Sequence, residues 1–159
     1  MSESVEKSIQ VSQIVTFRMA SEEYGVDIMK VQEIILPGKI TRVPEVPKYI
    51  DGVINLRGSV IPIIDLRVRF DLERIEPTEE TRIIVANVSG RVMGFVVDAV
   101  NEVMRISVQN IAPPPQSIGG NGRDYIQGLI KQEKRLLILL DIDKLIGAEQ
   151  SEAIMAQVS

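Results

Sequence analysis

The feature that most restricts how this chain can fold is internal: the second half of its 159 residues repeats the first. Sliding the sequence by 69 positions sets residues 24–35 against 93–104, with glycine, valine and glutamate falling on their like and most other positions keeping apolar character. Sliding by 76 sets 49–54 against 125–130 and, without a further gap, 60–66 against 136–142, so that Asp65 falls on Asp141. The offset grows by seven through an insertion in the second copy, placed between Ala112 and Gly122, in a stretch rich in proline and then glycine. The chain is therefore two copies of one unit, about 13–70 and 82–146.

The unit is built of strands. The chain holds 23 Ile, 19 Val and 10 Leu among few aromatic residues, a composition that favours pleated, packed segments. Short apolar runs alternate with turn signals: 14–19 and 24–28 read as one hairpin, 52–57 and 60–66 as another around Gly58-Ser59, and Pro37-Gly38 as a turn. Pro62 lies inside an apolar run and asks for a sheet edge or a bulge. About five strands per copy is the number that closes a small barrel. The ends in this reading are a disordered lead over 1–12 and a helical tail over 147–159.

Composition then removes whole classes of activity. There is no His, no Cys and no Trp, so Ser-His-Asp and Cys-His machinery and His- or thiolate-bound zinc are ruled out. With 18 basic against 22 acidic residues the net charge is −4, which speaks against nucleic acid as a partner. No window reaches the roughly 18 apolar residues of a membrane span, and the polar start lacks a signal peptide's apolar region, so the expected setting is cytoplasmic. Asp141 and Asp143 share a strand face, but Asp141 repeats Asp65, which points to a strand-end role rather than acid–base chemistry. The Gly119-Gly120-Asn121-Gly122 stretch lacks the Gly-Lys-Ser/Thr of a phosphate loop. No catalytic residue, metal site or cofactor is expected.

One turn feature is not kept by the duplication. Arg57 sits at the turn of Asn55-Leu56-Arg57-Gly58-Ser59, and its counterpart is Glu133. A shared structural need should appear in both copies, so a charge kept in one marks either specialisation for a partner or an ion pair, with Glu33 as the candidate carboxylate. The row Val31, Ile34, Ile35 beside Glu33 is either core or the wall of a groove that takes another protein's helix.

The runs 22–34 and 53–67, the latter with its Asn-Leu-Arg-Gly and Pro-Ile-Ile-Asp-Leu-Arg elements, resemble the CheW family of bacterial chemotaxis coupling proteins, as do 94–100 and 135–145. The resemblance spans about 13–146. It implies a mainly β fold of two SH3-like five-stranded β-barrels with a shared core, short helical turns and a C-terminal helix. It also implies a non-enzymatic adaptor that couples the histidine kinase CheA, through its regulatory domain, to the cytoplasmic tips of methyl-accepting chemoreceptors in membrane-associated arrays. An adaptor of a chemosensory-like pathway controlling pili, development or second messengers is the alternative within that class. By matching position, Val31, Glu33, Arg57 and Val100 are the expected receptor-binding residues, and Ile40, Thr41, Arg42 and Val43 the expected kinase-binding ones. The expected division interleaves the chain, one barrel from about 13–35 plus 91–146 and the other from about 36–90.

Overall fold

The computed structural model describes residues 11–114 and 125–146. Eleven strands and two short helices follow one another: β1 (Val11–Met19), β2 (Glu22–Asp27), a 3-10 turn (Ile28–Lys30), β3 (Val31–Ile35), β4 (Ile50–Leu56), β5 (Ser59–Asp65) and α1 (Leu66–Arg69). Then come β6 (Arg82–Val88), β7 (Arg91–Val97), β8 (Ala99–Ser107), a 3-10 turn (Val108–Asn110), β9 (Ile111–Ala112), β10 (Ile126–Gln132), β11 (Arg135–Leu140) and α2 (Ile142–Leu145). The strands make two sheets, ordered β8-β1-β2-β11-β10-β9 and β3-β6-β7-β5-β4.

These are the two SH3-like barrels, and each is a hybrid of the copies. The β1–β2 hairpin of the first copy is completed by β8 to β11 of the second, and the β6–β7 hairpin of the second by β3 to β5 of the first. Parallel pairs β2·β11 and β5·β7 stitch copy to copy. The first sheet has a sixth strand because the turn Val108–Asn110 carries the chain from β8 at one edge to the two-residue β9 at the other. In the second sheet Thr41 does the same, exchanging both backbone hydrogen bonds with Val53 at 2.9 and 2.8 Å.

The boundaries between barrels differ from the expected ones. Val31–Ile35 and Arg91–Val97 belong to the second sheet, because the chain changes sheets at Ile28–Lys30 and at Asp98 rather than at turns richer in proline or glycine. β1 begins at Val11, inside the expected disordered lead; the rest of that lead, the glycine stretch 119–122 and the tail 147–159 lie outside the described residues. Pro62 is in an inner strand, not at an edge. Val53 spends its backbone bonds on Thr41, so the pair Val53–Pro62 is of the non-hydrogen-bonded kind, and β7 pairs only from Ile63 onward. No bond is asked of the missing N–H.

Three apolar clusters follow. One lies within the first barrel (Ile14, Met104, Ile106, Ile130, Leu137, Leu139) and one within the second (Ile61, Ile63, Ile83, Val85). The largest, with Phe17, Ile64, Ile84, Phe95 and Leu140, lies between the barrels. Strand β6 shows why the chain is so rich in isoleucine and valine: Ile83 and Val85 face the barrel interior while Ile84 and Ala86 face the shared layer. A strand buried on both faces reads as a continuous apolar run instead of an alternation.

Both crossings are locked by an ion pair, with the signs exchanged. At the second, the Asp98 carboxylate accepts from Arg67 Nε at 2.8 Å and Nη2 at 2.6 Å, and from the Ala20 N–H in the β1–β2 turn at 2.7 Å. At the first, Asp143 accepts from Lys30 Nζ at 2.9 Å and from the Ser89 N–H in the β6–β7 turn at 2.9 Å. Ser89 is the repeat of Ala20, and Asp143 is the repeat of Arg67. Both hairpin turns are thus held by a carboxylate of the second copy, supplied once from the crossing and once from the short helix. Asp65 and Asp141 play the strand-end part expected of them, accepting from the N–H of Arg67 at 2.9 Å and of Asp143 at 3.1 Å.

Candidate protein-docking site

The site is framed by two hairpin ends of the second barrel. Arg57 and Gly58 form a two-residue turn with φ of 51° and 88°, and the Gly58 N–H donates to Asn55 Oδ1 at 2.9 Å. The turn between β6 and β7 is built alike, with Ser89 and Gly90 at 52° and 87° and the Gly90 N–H donating to Asn87 Oδ1 at 2.8 Å. Such turns favour Asn or Gly at the first position, so an arginine there holds strained backbone worth about 1 kcal/mol. The guanidinium stands at the tip of the hairpin, its side chain 69% exposed.

Arg57 Nη2 donates to Glu33 Oε2. The sequence left open whether such a pair ties the two copies together; it does not, because both residues belong to the first copy. Glu33 is on β3 and Arg57 follows β4, and these are the two edge strands of the sheet, so the pair bridges the barrel's seam. Around it runs an open groove of about 520 Å³, lined also by Gln32, Leu56, Ser59, Val60 and Val92.

The structure brings Glu33 and Arg57 together and leaves Val31 and Val100 out of that groove. These two valines are repeats of one another, each half-buried just after a crossing and packed on the shared layer, Val31 opposite Ala86 and Val100 opposite Phe17. Their exposed edges lie along the line where the barrels meet. The row Val31, Ile34, Ile35 is strand, not helix: Val31 and Ile35 pack inward and Ile34 faces out, 39% exposed. Its repeat Val103 is 51% exposed on β8, an apolar surface residue that periodicity in the sequence did not single out.

The other candidate set occupies the opposite end of the same barrel. Ile40 packs on the second barrel's interior, Thr41 is tied to Val53, Arg42 is exposed and Val43 half-buried. Ile40 and Arg42 line a cavity of about 220 Å³ whose wall includes Arg67, Asp98, Arg74 and Asp65. Burial pushes the Asp65 carboxyl above the usual carboxylate range, against the pull of Arg74, whose Nε lies 3.8 Å away. Arg74 also reaches Asp51 at 2.5 Å and the Lys48 carbonyl at 3.3 Å, fastening the connection after α1 across the cavity. Among the described residues no group of His, Cys, Asp and Glu is arranged to hold a metal ion, and no helix is long and apolar enough to cross a membrane.

Comparison with known proteins gives one answer throughout. The family model described as CheW-like domain matches residues 13–150. A chemotaxis protein CheW from Klebsiella aerogenes is 43% identical over 84% of this chain and 81% of its own length. Another from Rhizobium meliloti is 38% identical over 89% of this chain and 91% of its own. Among solved structures, the scaffolding protein TtCheW from Thermoanaerobacter tengcongensis superposes with a TM-score of 0.80 at 35% identity, covering 89% of this chain and 96% of that one.

Proposed function

The chain belongs to the CheW-like family of chemotaxis adaptors, and from that premise we propose that it couples a CheA-type histidine kinase to the cytoplasmic hairpin tips of methyl-accepting chemoreceptors. The observation that carries the receptor side is the Arg57–Glu33 pair beside an open groove, at a strained hairpin turn where the two copies differ in charge. A helical hairpin offers an apolar stripe to the exposed edges of Val31 and Val100, while rim charges set its register and partner choice more than raw affinity. The kinase side is Ile40 to Val43, on a surface reached independently at the other end of the barrel. An interface of about 800 Å² per partner fits either face of a domain this size. The protein does no chemistry itself in this reading. It fixes the distance and orientation between receptor and kinase at the membrane-associated array.

The test uses Arg57→Ala and Glu33→Ala in a reconstitution of purified receptor fragment, kinase and adaptor. An exposed ion pair contributes about 0–1 kcal/mol, so both variants are expected to keep the wild-type circular dichroism and a near-wild-type urea midpoint. Receptor binding should weaken about threefold to tenfold, with a reduced salt dependence, as for a rim charge, and receptor-dependent kinase activation should fall with it, while kinase binding persists. Arg57→Asn separates turn from charge. It should raise stability by about 0.5–1 kcal/mol by relieving the left-handed arginine, yet bind receptor as poorly as the alanine variant. Wild-type binding and activation by both alanine variants would sink the assignment.

A further inference from the structure

The two barrels have equivalent mouths, and in the first an ion-pair clasp lies across it. In the first barrel, Glu23 Oε2 accepts from Arg135 Nη2 at 2.6 Å and Glu23 Oε1 from Arg135 Nε at 3.2 Å, while Arg135 Nη1 lies 3.0 Å from Glu102 Oε2. Asn101 Nδ2 adds a donor to Glu23 at 2.9 Å. Two carboxylates clasp one guanidinium across β2, β8 and β11, and the Arg135 guanidinium holds the Glu23 carboxyl below the usual range. The repeat relation carries Glu102 to Glu33, Glu23 to Val92 and Arg135 to Ser59. The second barrel has therefore kept one member of the clasp and replaced the other two with small side chains. What results is the groove of about 520 Å³, lined by the aliphatic Leu56, Val60, Ile61 and Val92 together with Gln32, Ser59 and Arg91, and whose Glu33 has turned to Arg57.

We propose that this unplugged mouth is a pocket for a single apolar side chain of the receptor's helical hairpin, the rim pair Glu33–Arg57 lying against polar groups on either side of that side chain. The proposal rests on the receptor reading above and sharpens it. The occupant is apolar because Glu33 and Arg57 already satisfy each other and Leu56, Val60, Ile61 and Val92 offer an aliphatic wall, beside the polar groups of Gln32, Ser59 and Arg91. It comes from the receptor and not the kinase because the pocket is continuous with Glu33 and Arg57, and lies at the opposite end of the barrel from Ile40 and Arg42. A helix is the fitting carrier, since it can lower one residue into a mouth while its neighbours a turn away rest on the two hairpin ends.

The experiment rebuilds the clasp. Ser59→Arg with Val92→Glu recreates around Glu33 the arrangement that lies across the mouth of the first barrel. The double variant is titrated with a purified fragment of a chemoreceptor's cytoplasmic hairpin tip, beside wild type and Arg57→Ala, and its kinase binding is measured separately. The expected result is a native urea midpoint, unchanged kinase binding, and receptor affinity reduced at least tenfold. A folded graft that binds the fragment within twofold of wild type overturns the pocket. Should the charged graft fail to fold, Val92→Phe fills the same space with apolar volume and carries the same two outcomes. If wild type itself fails to bind the fragment, the receptor reading falls. If wild type binds, Arg57→Ala weakens and the filled variants do not, the pocket alone falls.

Discussion

Arg67→Ala should lower the folding stability of this protein by about 3 kcal/mol or more, the loss typical of removing one partner from a buried ion pair. Its side chain is 16% exposed and that of Asp98 8%, and the two are joined by parallel hydrogen bonds of 2.6 and 2.8 Å. Removing the cation leaves Asp98 buried with the Ala20 N–H as its remaining donor at this joint. Urea unfolding should show a lower midpoint with an unchanged slope, since the surface exposed on unfolding is the same. Acid supplies an internal control. Burial pushes the Asp98 carboxyl up, but the Arg67 and Ala20 hydrogen bonds outweigh it and hold it below its ordinary value. A depressed carboxyl contributes stability above its unfolded pKa of about 4 and loses it as pH falls through the folded value. Wild type should therefore weaken below about pH 4, and the gap to Arg67→Ala should narrow there. A gap that stays constant from pH 7 to pH 3 would mean the arginine acts through packing alone.

Gly52→Ala should be of similar size for a different reason. A Cβ at Gly52 would meet the Thr41 carbonyl oxygen at 2.2 Å, and φ there is 150°, where a side chain is strained. The oxygen cannot withdraw, because it accepts the Val53 N–H in the bridge that closes the second barrel. We expect a loss of about 3 kcal/mol, from strained backbone and a broken seam together. Gly38→Ala serves as the comparison: a Cβ there meets nothing within 4 Å, so the change should leave stability level or raise it by up to about 1 kcal/mol. If Gly52→Ala unfolds at the wild-type urea concentration, the seam at Thr41 has given way without cost. The bridge would then not be what holds the segment Ile40 to Val43 in place.

Gly52 also shows how the sequence can be read. It repeats as Gly128, where a Cβ would meet the Ala112 carbonyl oxygen at 2.7 Å, so the same close crossing occurs in both copies. Repetition of this kind made the duplication, the strands and the barrel class legible, and a charge that reversed at a hairpin turn pointed to Arg57. Which sheet each strand joins was not legible. Ile28–Lys30 and Asp98 carry the chain between barrels, but whether β3 pairs with β2 or with β6 is decided by side chains about 50 residues away. Nor was Asp98 marked: as one carboxylate in an apolar run, it shows its worth only where Arg67 and the Ala20 N–H converge on it. The open mouth was hidden for another reason. It is made by the smallness of Ser59 and Val92, and an absent side chain leaves no motif.

The two candidate faces stand at opposite ends of one barrel, joined by β4 and β5. Seven residues of strand at about 3.3 Å each set that span near 20 Å. Strands neither stretch nor bend as loops do, and the neighbouring barrel is fastened alongside by two chain crossings instead of one. Among the described residues, β4 and β5 run from one face to the other with no loop within either strand about which the faces could swing. In an ordered assembly it would act as a gauge block: its length sets the pitch, and a small displacement imposed at one end is delivered to the other undiminished.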